Sequence, residues 1–433
     1  MNVNDSNRWK LGTPFTILSR DQGELMIPLL FSLPCGDLLV TYADKGDVFF
    51  LTTKLLRSGD GGKTWQHEGN PMMSCDFTMD MGDGITRMYC YLSFAVKNST
   101  PKRFIFQYRD SANGGRTFGP VKWAEYEHDG ERHLTIGESY AMRGDYGKEP
   151  LNEQMLGVWK DGLSAAGWEH GEWAEAELAY HGPHIDSCIR LPDHSLLNLF
   201  QGETDGQAPS RFFQVFAARS TDNGVHWSYV SRLNPNETDV PEGYAEAFPV
   251  LLDDGRIYVV MRNGGGGCLL MQTWSADFGK TWEPLCPIDA RMRGILPVIR
   301  RLADGALALA TGRPGMYLVF ASSGASETWD IDNRLDIWGT ESLTLKVNAK
   351  PDTVRTDLVN YMSGIVPGVK KENMPWARQD LLNGNFLGLE NVNFVEVSPG
   401  RILLVYDLQS WIAHPGAAPR KAARGVWITR SAS

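Results

Sequence analysis

A chain of 433 residues is long enough for two or three ordinary domains, or for one large repeat domain. Its 42% hydrophobic and 11% aromatic content suits a globular protein with a large core. The formal charge of −10 argues against a general nucleic-acid or anionic-membrane binder, and no apolar run approaches the ~18 residues that span a bilayer.

The start, Met1-Asn2-Val3-Asn4-Asp5, lacks the charged-then-apolar profile of a signal peptide. It suits either a cytoplasmic protein or a mature secreted or periplasmic form. Thr13 to Ser19 reads as a strand. Six strand-turn-strand segments follow, each apolar with a Gly or Asp turn at its centre. They run Ile27–Tyr42, Phe77–Phe94, Cys188–Phe200, Phe248–Met261, Leu296–Ala310 and Val392–Tyr406. Residues 131–173 are less regular, although Leu134–Met142 and Met155–Lys160 allow a seventh unit. Residues 330–386 carry no repeat and read as an insertion or excursion over one face. Gly425 to Thr429 reads as a strand, and the first strand is expected to complete the last unit.

Most of these hairpins are followed by a second one that ends in a recurring turn. The turn reads Ser58-Gly59-Asp60-Gly61-Gly62-Lys63-Thr64-Trp65, and again from Ser220 to Trp227 and from Ser275 to Trp282. Worn copies run from Ser111 to Phe118 and from Ser322 to Trp329. Ser and Asp can bond the turn's own backbone, Gly takes the left-handed position, and Trp packs back onto the sheet. Such a turn staples a hairpin and carries no chemistry. Two hairpins make a four-stranded blade, so the fold is read as all-β: a six- or seven-bladed β-propeller of four-stranded antiparallel blades in one domain. Six cysteines show no CxxC pair or zinc spacing, so thiols are expected to be reduced, with no metal and no cofactor.

These turns, as Asp-box (BNR) repeats, together with the hairpin order, resemble the sialidase (neuraminidase) superfamily over most of the chain. The resemblance implies a site at one mouth of the channel. Asp47 stands eleven residues before Ser58, the family's general-acid spacing. Glu246 stands nine before Gly255, and Arg262 seven after it, at the family's Glu and one of its carboxylate-binding arginines. Arg313, in Thr311-Gly312-Arg313-Pro314, resembles another. Two positions depart from the pattern. The first blade's Arg-Ile-Pro is Met26-Ile27-Pro28 here, and the nucleophilic Tyr is replaced by Asn391, with Glu390 beside it.

Two strand-end arginines in one cleft form a clamp for a carboxylate. Asp47, with Asp44 as its rival, is the candidate acid for a leaving-group oxygen. Glu246 is either a base or the residue that pins Arg262. Glu390 is the candidate second carboxylate. His184 precedes an inner strand, and Tyr244 lies beside Glu246. Tyr317 and Trp376 are candidate sugar-stacking surfaces, and Gly264 to Gly267 reads as a flexible loop. Three functions stand open. One is a sialidase-like glycoside hydrolase acting on an oligosaccharide or polysaccharide with an anionic or polar sugar. Another is a polysaccharide lyase using His184, Tyr244 and Arg262 at a uronic acid. The third is a non-catalytic glycan-binding propeller. No nucleic-acid partner is expected, and the oligomeric state is open.

Overall fold

The computed structural model describes residues 9–23, 25–44, 53–69, 72, 74–96, 102–128, 176–179, 182–203, 213–233, 243–263, 269–312, 316–321, 328–337, 391–411 and 420–431. For 91–92, 176–179, 182–186, 203, 336 and 409–411 it describes the backbone alone. These residues form strands β1 to β26, and no α-helix occurs among them.

The strands fall into six four-stranded antiparallel units among the described residues. The N-terminal segment supplies β1 (Trp9–Leu11) and β2 (Phe15–Arg20). Unit one is β3 (Met26–Ser32), β4 (Leu38–Ala43), β5 (Thr53–Ser58) and β6 (Gln66–Glu68). Unit two is β7 (Phe77–Gly82), β8 (Ile85–Val96), β9 (Lys102–Ser111) and β10 (Lys122–His128). The short β11 (Ala176–Ala179) pairs with the far half of β8. Unit three is β12 (Gly182–Arg190), β13 (Leu196–Glu203), β14 (Phe213–Ser220) and β15 (His226–Arg232). Unit four is β16 (Tyr244–Leu251), β17 (Ile257–Asn263), β18 (Met271–Ser275) and β19 (Cys286–Pro287). Unit five is β20 (Ile295–Arg301), β21 (Leu307–Gly312), β22 (Tyr317–Ala321) and β23 (Leu335–Asp336). Its outer strand therefore lies inside the stretch read from sequence as the 330–386 excursion. Unit six is β24 (Val392–Ser398), β25 (Arg401–Trp411) and β26 (Arg420–Arg430), and β1 and β2 both pair with β26 to complete it.

The innermost strands β3, β7, β12, β16, β20 and β24 abut in that order, and β24 meets β3 again, so the units close into a propeller. The segments proposed for a seventh unit lie outside the described residues. Every residue of β4, β21 and β22 is buried, because a strand in the middle of a unit is covered by a neighbouring unit on both faces. This is why these strands read as continuous apolar runs rather than as alternations. The seams are apolar. Leu30, Val40, Leu403 and Val405 fill the one between units six and one, and Leu197, Leu199, Ala247 and Val259 the one between units three and four.

Four of the five recurring turns share one hydrogen-bond pattern; residues 322–327 of the fifth lie outside the described residues. Ser58 Oγ bonds Asp60 Oδ1 at 2.8 Å and accepts the Gly62 N–H at 2.8 Å, while Asp60 accepts the N–H groups of Lys63 and Thr64. The Ser111, Ser220 and Ser275 turns repeat it. Each turn also docks onto the preceding unit, which the sequence does not announce. Tyr89 of unit two donates to Gly224 O at 3.2 Å, Arg57 of unit one to Gly115 O at 2.9 Å, and Ser231 of unit three to Gly279 O. Gly62 packs against Trp427 and Leu403 of unit six. The motif is thus a joint between units as well as a hairpin staple.

Units two and three are joined again at their outer rims, where β10 and β15 pair in parallel through Glu125–His226, Tyr126–Trp227 and Glu127–Ser228. His128, at the end of β10, is 3% exposed, packs against the Phe216 and Tyr229 rings, and bonds Tyr126 Oη through Nδ1 at 2.6 Å. Burial pushes its pKa from 6.5 down to about 4. The cysteines Cys35, Cys75, Cys90, Cys188 and Cys286 are free thiols.

Two outcomes follow from these contacts. A Cβ at Gly224, where φ is +75°, would stand 2.1 Å from Tyr89 Oη, whereas one at Gly36, where φ is +92°, meets nothing within 4 Å. Gly224→Ala is expected to cost about 3 kcal/mol or more of unfolding free energy and Gly36→Ala only ~1, read from denaturant midpoints. Acid titration forms the second test. Between about pH 6.5 and about 4 the unfolded chain binds a proton at His128 that the folded chain refuses, so stability falls as pH drops, by ~3 kcal/mol. His128→Gln is expected to flatten that window. It leaves the loss below pH 3.8 untouched, which belongs to carboxylates held below that ordinary value in the fold. Asp277 is one: burial raises its pKa, and hydrogen bonds from Thr281 and Ser275 outweigh the burial.

Candidate functional site

In each unit the turn between the first two strands lies at one end of the sheet, and so does the turn after the third in units one to four. The starts of the inner strands lie at the other end, and so do the ends of β4, β13, β17, β21 and β25. At that second end the inner strands share a deformation. Register shifts fall between Met26 and Leu29 in β3, Ala245 and Phe248 in β16, and Ile295 and Val298 in β20. The residue after the first paired position has a positive φ in all three: +51° at Ile27, +51° at Glu246 and +43° at Leu296. None is glycine, so each position costs about 1–2 kcal/mol and persists only when its surroundings hold it.

What holds them is a side chain from the preceding unit. A bulge turns its N–H out of the ladder, and a buried N–H needs an acceptor. Gln201 Oε1, at the end of β13 in unit three, accepts the Glu246 N–H at 2.8 Å. Glu246 Oε2 accepts the Leu296 N–H of unit five at 2.6 Å. Asp407 Oδ2, from β25 of unit six, accepts the Ile27 N–H of unit one at 3.2 Å. The same relay that relieves the bulges therefore also closes the ring.

Two of the expected site residues meet here. Arg262 Nη1 donates to Glu246 Oε1 at 2.9 Å, with side chains 14% and 18% exposed. They come together because Arg262 pairs with Ala245 across the β16–β17 ladder, directly beside the bulge. Of the two roles expected for Glu246, the geometry is that of the residue that pins Arg262. Asn391 is buried on the rim of unit six. Its N–H and Nδ2 donate to Asp407 Oδ1 and Oδ2 at 2.9 and 3.3 Å. The backbone of His184 lies in the irregular part of β12, between the Pro183 and Cys188 pairings and close to the Gly182–Gln201 pair.

Other expected residues sit elsewhere. Tyr244 is 8% exposed and belongs to the apolar cluster between units three and four, with Leu199, Ala247 and Met261. Tyr317 is no stacking surface: it is 2% exposed and donates to Arg293 O at 3.0 Å. Asp44, at the end of the first hairpin, lies 3.8 Å from Lys54 Nζ. Met26, where the resemblance would place an arginine, is buried. Asp47, Glu390, Arg313, Trp376 and Gly264 to Gly267 lie outside the described residues. Gly312, which precedes Arg313, pairs with Ile295, next to the residue that Glu246 caps.

Sequence reading passed over Gln201 and Asp407. Each is a polar residue that ends an apolar run within its strand, in Leu196-Leu197-Asn198-Leu199-Phe200-Gln201 and Leu403-Leu404-Val405-Tyr406-Asp407, and that position is the signal available for them. Asp407 is fully buried. No group of three or more His, Cys, Asp or Glu suited to a metal ion occurs among the described residues.

No family model matches this chain, and no curated protein matches it. Solved structures do. A Dyadobacter fermentans protein of unknown function matches at 14% identity and a TM-score of 0.56, over 98% of this chain and 99% of that one. A Trypanosoma rangeli sialidase matches at 13% identity and a TM-score of 0.49, over 97% of this chain and 59% of that one. A K499G mutant of the NanB sialidase from Streptococcus pneumoniae matches at 15% identity and a TM-score of 0.48, over 96% and 71%. At 14% identity the likeness to the Dyadobacter fermentans protein is one of fold alone.

Replacing Asp407 tests the relay. Asp407→Ala strands the Ile27 and Asn391 N–H groups in a buried place and is expected to cost roughly 3–5 kcal/mol in urea unfolding. Asp407→Asn, which keeps one acceptor oxygen, is expected to cost less than half of that.

Proposed function

We propose that this protein is a carbohydrate-active enzyme, a sialidase-like glycoside hydrolase acting on a glycan with an anionic or polar sugar. The observation that supports this reading is Arg262, a guanidinium held in one orientation at the bulged end of the propeller by Glu246. A fixed guanidinium pairs a carboxylate with little ordering cost, because the fork is already oriented. In this reading Arg262 and Arg313 grip the sugar's carboxylate, and Asn391 lines the same cleft. Asp47 protonates the leaving oxygen and Glu390 supplies the second carboxylate. Glu246 acts on Arg262, and His184 borders the cleft from unit three.

Two particular observations weigh on the other readings. Tyr244 is buried in an apolar seam, which counts against a lyase that needs its phenol at the sugar. The bonded set of Asn391 and Asp407, together with buried Met26, favours a non-catalytic glycan-binding propeller as the second reading.

Turnover decides between them. Wild-type protein is expected to release chromophore from an aryl glycoside of a sialic or uronic acid, without the near-ultraviolet absorbance of an unsaturated uronate. Arg262→Ala is expected to lower kcat/KM about 100-fold on the acid and far less on its methyl ester, since only the acid offers a charge to grip. Binding across a glycan panel with no turnover on any member would hand the assignment to the glycan-binding reading. An equal loss on acid and ester would remove Arg262 from carboxylate recognition.

A further inference from the structure

Glu246 is engaged at three polar positions. Oε1 accepts from Arg262, Oε2 from the Leu296 N–H, and its own N–H donates to Gln201 Oε1 at 2.8 Å. The first two bonds fix the carboxylate, and the third fixes the backbone that carries it. That backbone has φ +51°, a conformation that a glutamate leaves unless it is held. Gln201 is 5% exposed and belongs to a different unit, on a strand whose rim position opposes Gly182. Without an acceptor at Gln201 the Glu246 N–H stays buried and unbonded, and the bulge relieves itself by rotating Glu246. Rotation at that residue withdraws its carboxylate from Arg262 and Leu296 together, because both bonds hang from one Cα.

We infer that Gln201 is a positioning residue: it holds Glu246 in its left-handed bulge, and through Glu246 it sets the orientation of the Arg262 guanidinium from the neighbouring unit. The affinity for an anionic sugar is thereby governed by a residue that touches neither the sugar nor Arg262. The part concerning affinity rests on the proposed carboxylate-gripping role of Arg262; the part concerning geometry does not.

The experiment compares Gln201→Met, which matches the volume but lacks the acceptor, with Leu199→Ala on the same strand, which destabilises the seam without touching the relay. The readouts are the Arg262 side-chain N–H resonances, assigned by their loss in Arg262→Lys, and the Kd of free glucuronic acid and N-acetylneuraminic acid. Gln201→Met is expected to shift or broaden the Arg262 resonances and to weaken binding about tenfold. Leu199→Ala is expected to lower the Tm and leave both readouts unchanged. Gln201→Ser, too short to reach the Glu246 N–H, gives the same result as Gln201→Met and serves if the latter does not fold. Unmoved Arg262 resonances in a folded Gln201 variant would overturn the inference, as would equal shifts in Leu199→Ala. Shifted resonances in a protein whose wild type binds neither sugar acid would overturn the proposed function while leaving the positioning role standing.

Discussion

Three of the six junctions between units are pinned by one recurring hydrogen bond: a bulged N–H at the start of an inner strand, accepted by a side chain from the unit before it. Gln201 serves Glu246, Glu246 serves Leu296, and Asp407 serves Ile27 across the seam where the chain's two ends meet. Apolar seams hold the units together by close packing. The hydrogen bonds are directional, and Glu246 and Asp407 each accept from more than one donor. They fix how neighbouring units meet at those three junctions, at the end where the chemistry is proposed.

Arg262 shows how architecture and chemistry share one group. Its partner Glu246 is at once the acceptor that steadies unit five and the carboxylate that orients a cation. A guanidinium placed by such a residue is oriented before any ligand arrives. The same economy limits Glu246 as a proton acceptor, because both of its oxygens are already bonded.

The two ends of the propeller differed in how well they were written in the sequence. Ser58, Asp60 and Gly62 announce their turn because local hydrogen bonds and a left-handed residue need those side chains at that spacing, whatever the rest of the chain does. The six apolar hairpins were legible for a related reason: strands covered on both faces admit little but apolar residues. Glu246 and Arg262 were picked out by their distance from the Gly255 turn, and they do meet. Gln201 and Asp407 escaped notice because their partners, the N–H groups of Glu246 and Ile27, are 45 and 380 residues away. No local pattern encodes such a pairing. The burial of Tyr244 and Tyr317 was also hidden, since an aromatic residue at a strand end fits a rim and a seam equally well. The docking of each recurring turn on its neighbour was invisible for want of a local cue.

The parallel pairing of β10 with β15 has a consequence for how the ring comes apart. It joins units two and three by a backbone ladder at the circumference as well as by contacts at the axis. Elsewhere the outermost strands are only two or three residues long in units one, four and five, and they offer no comparable clasp. In denaturant the seam between units two and three is expected to open last, since among the described residues the other seams have no rim ladder of this kind. Gln201 lies in that doubly joined pair, on β13 of unit three.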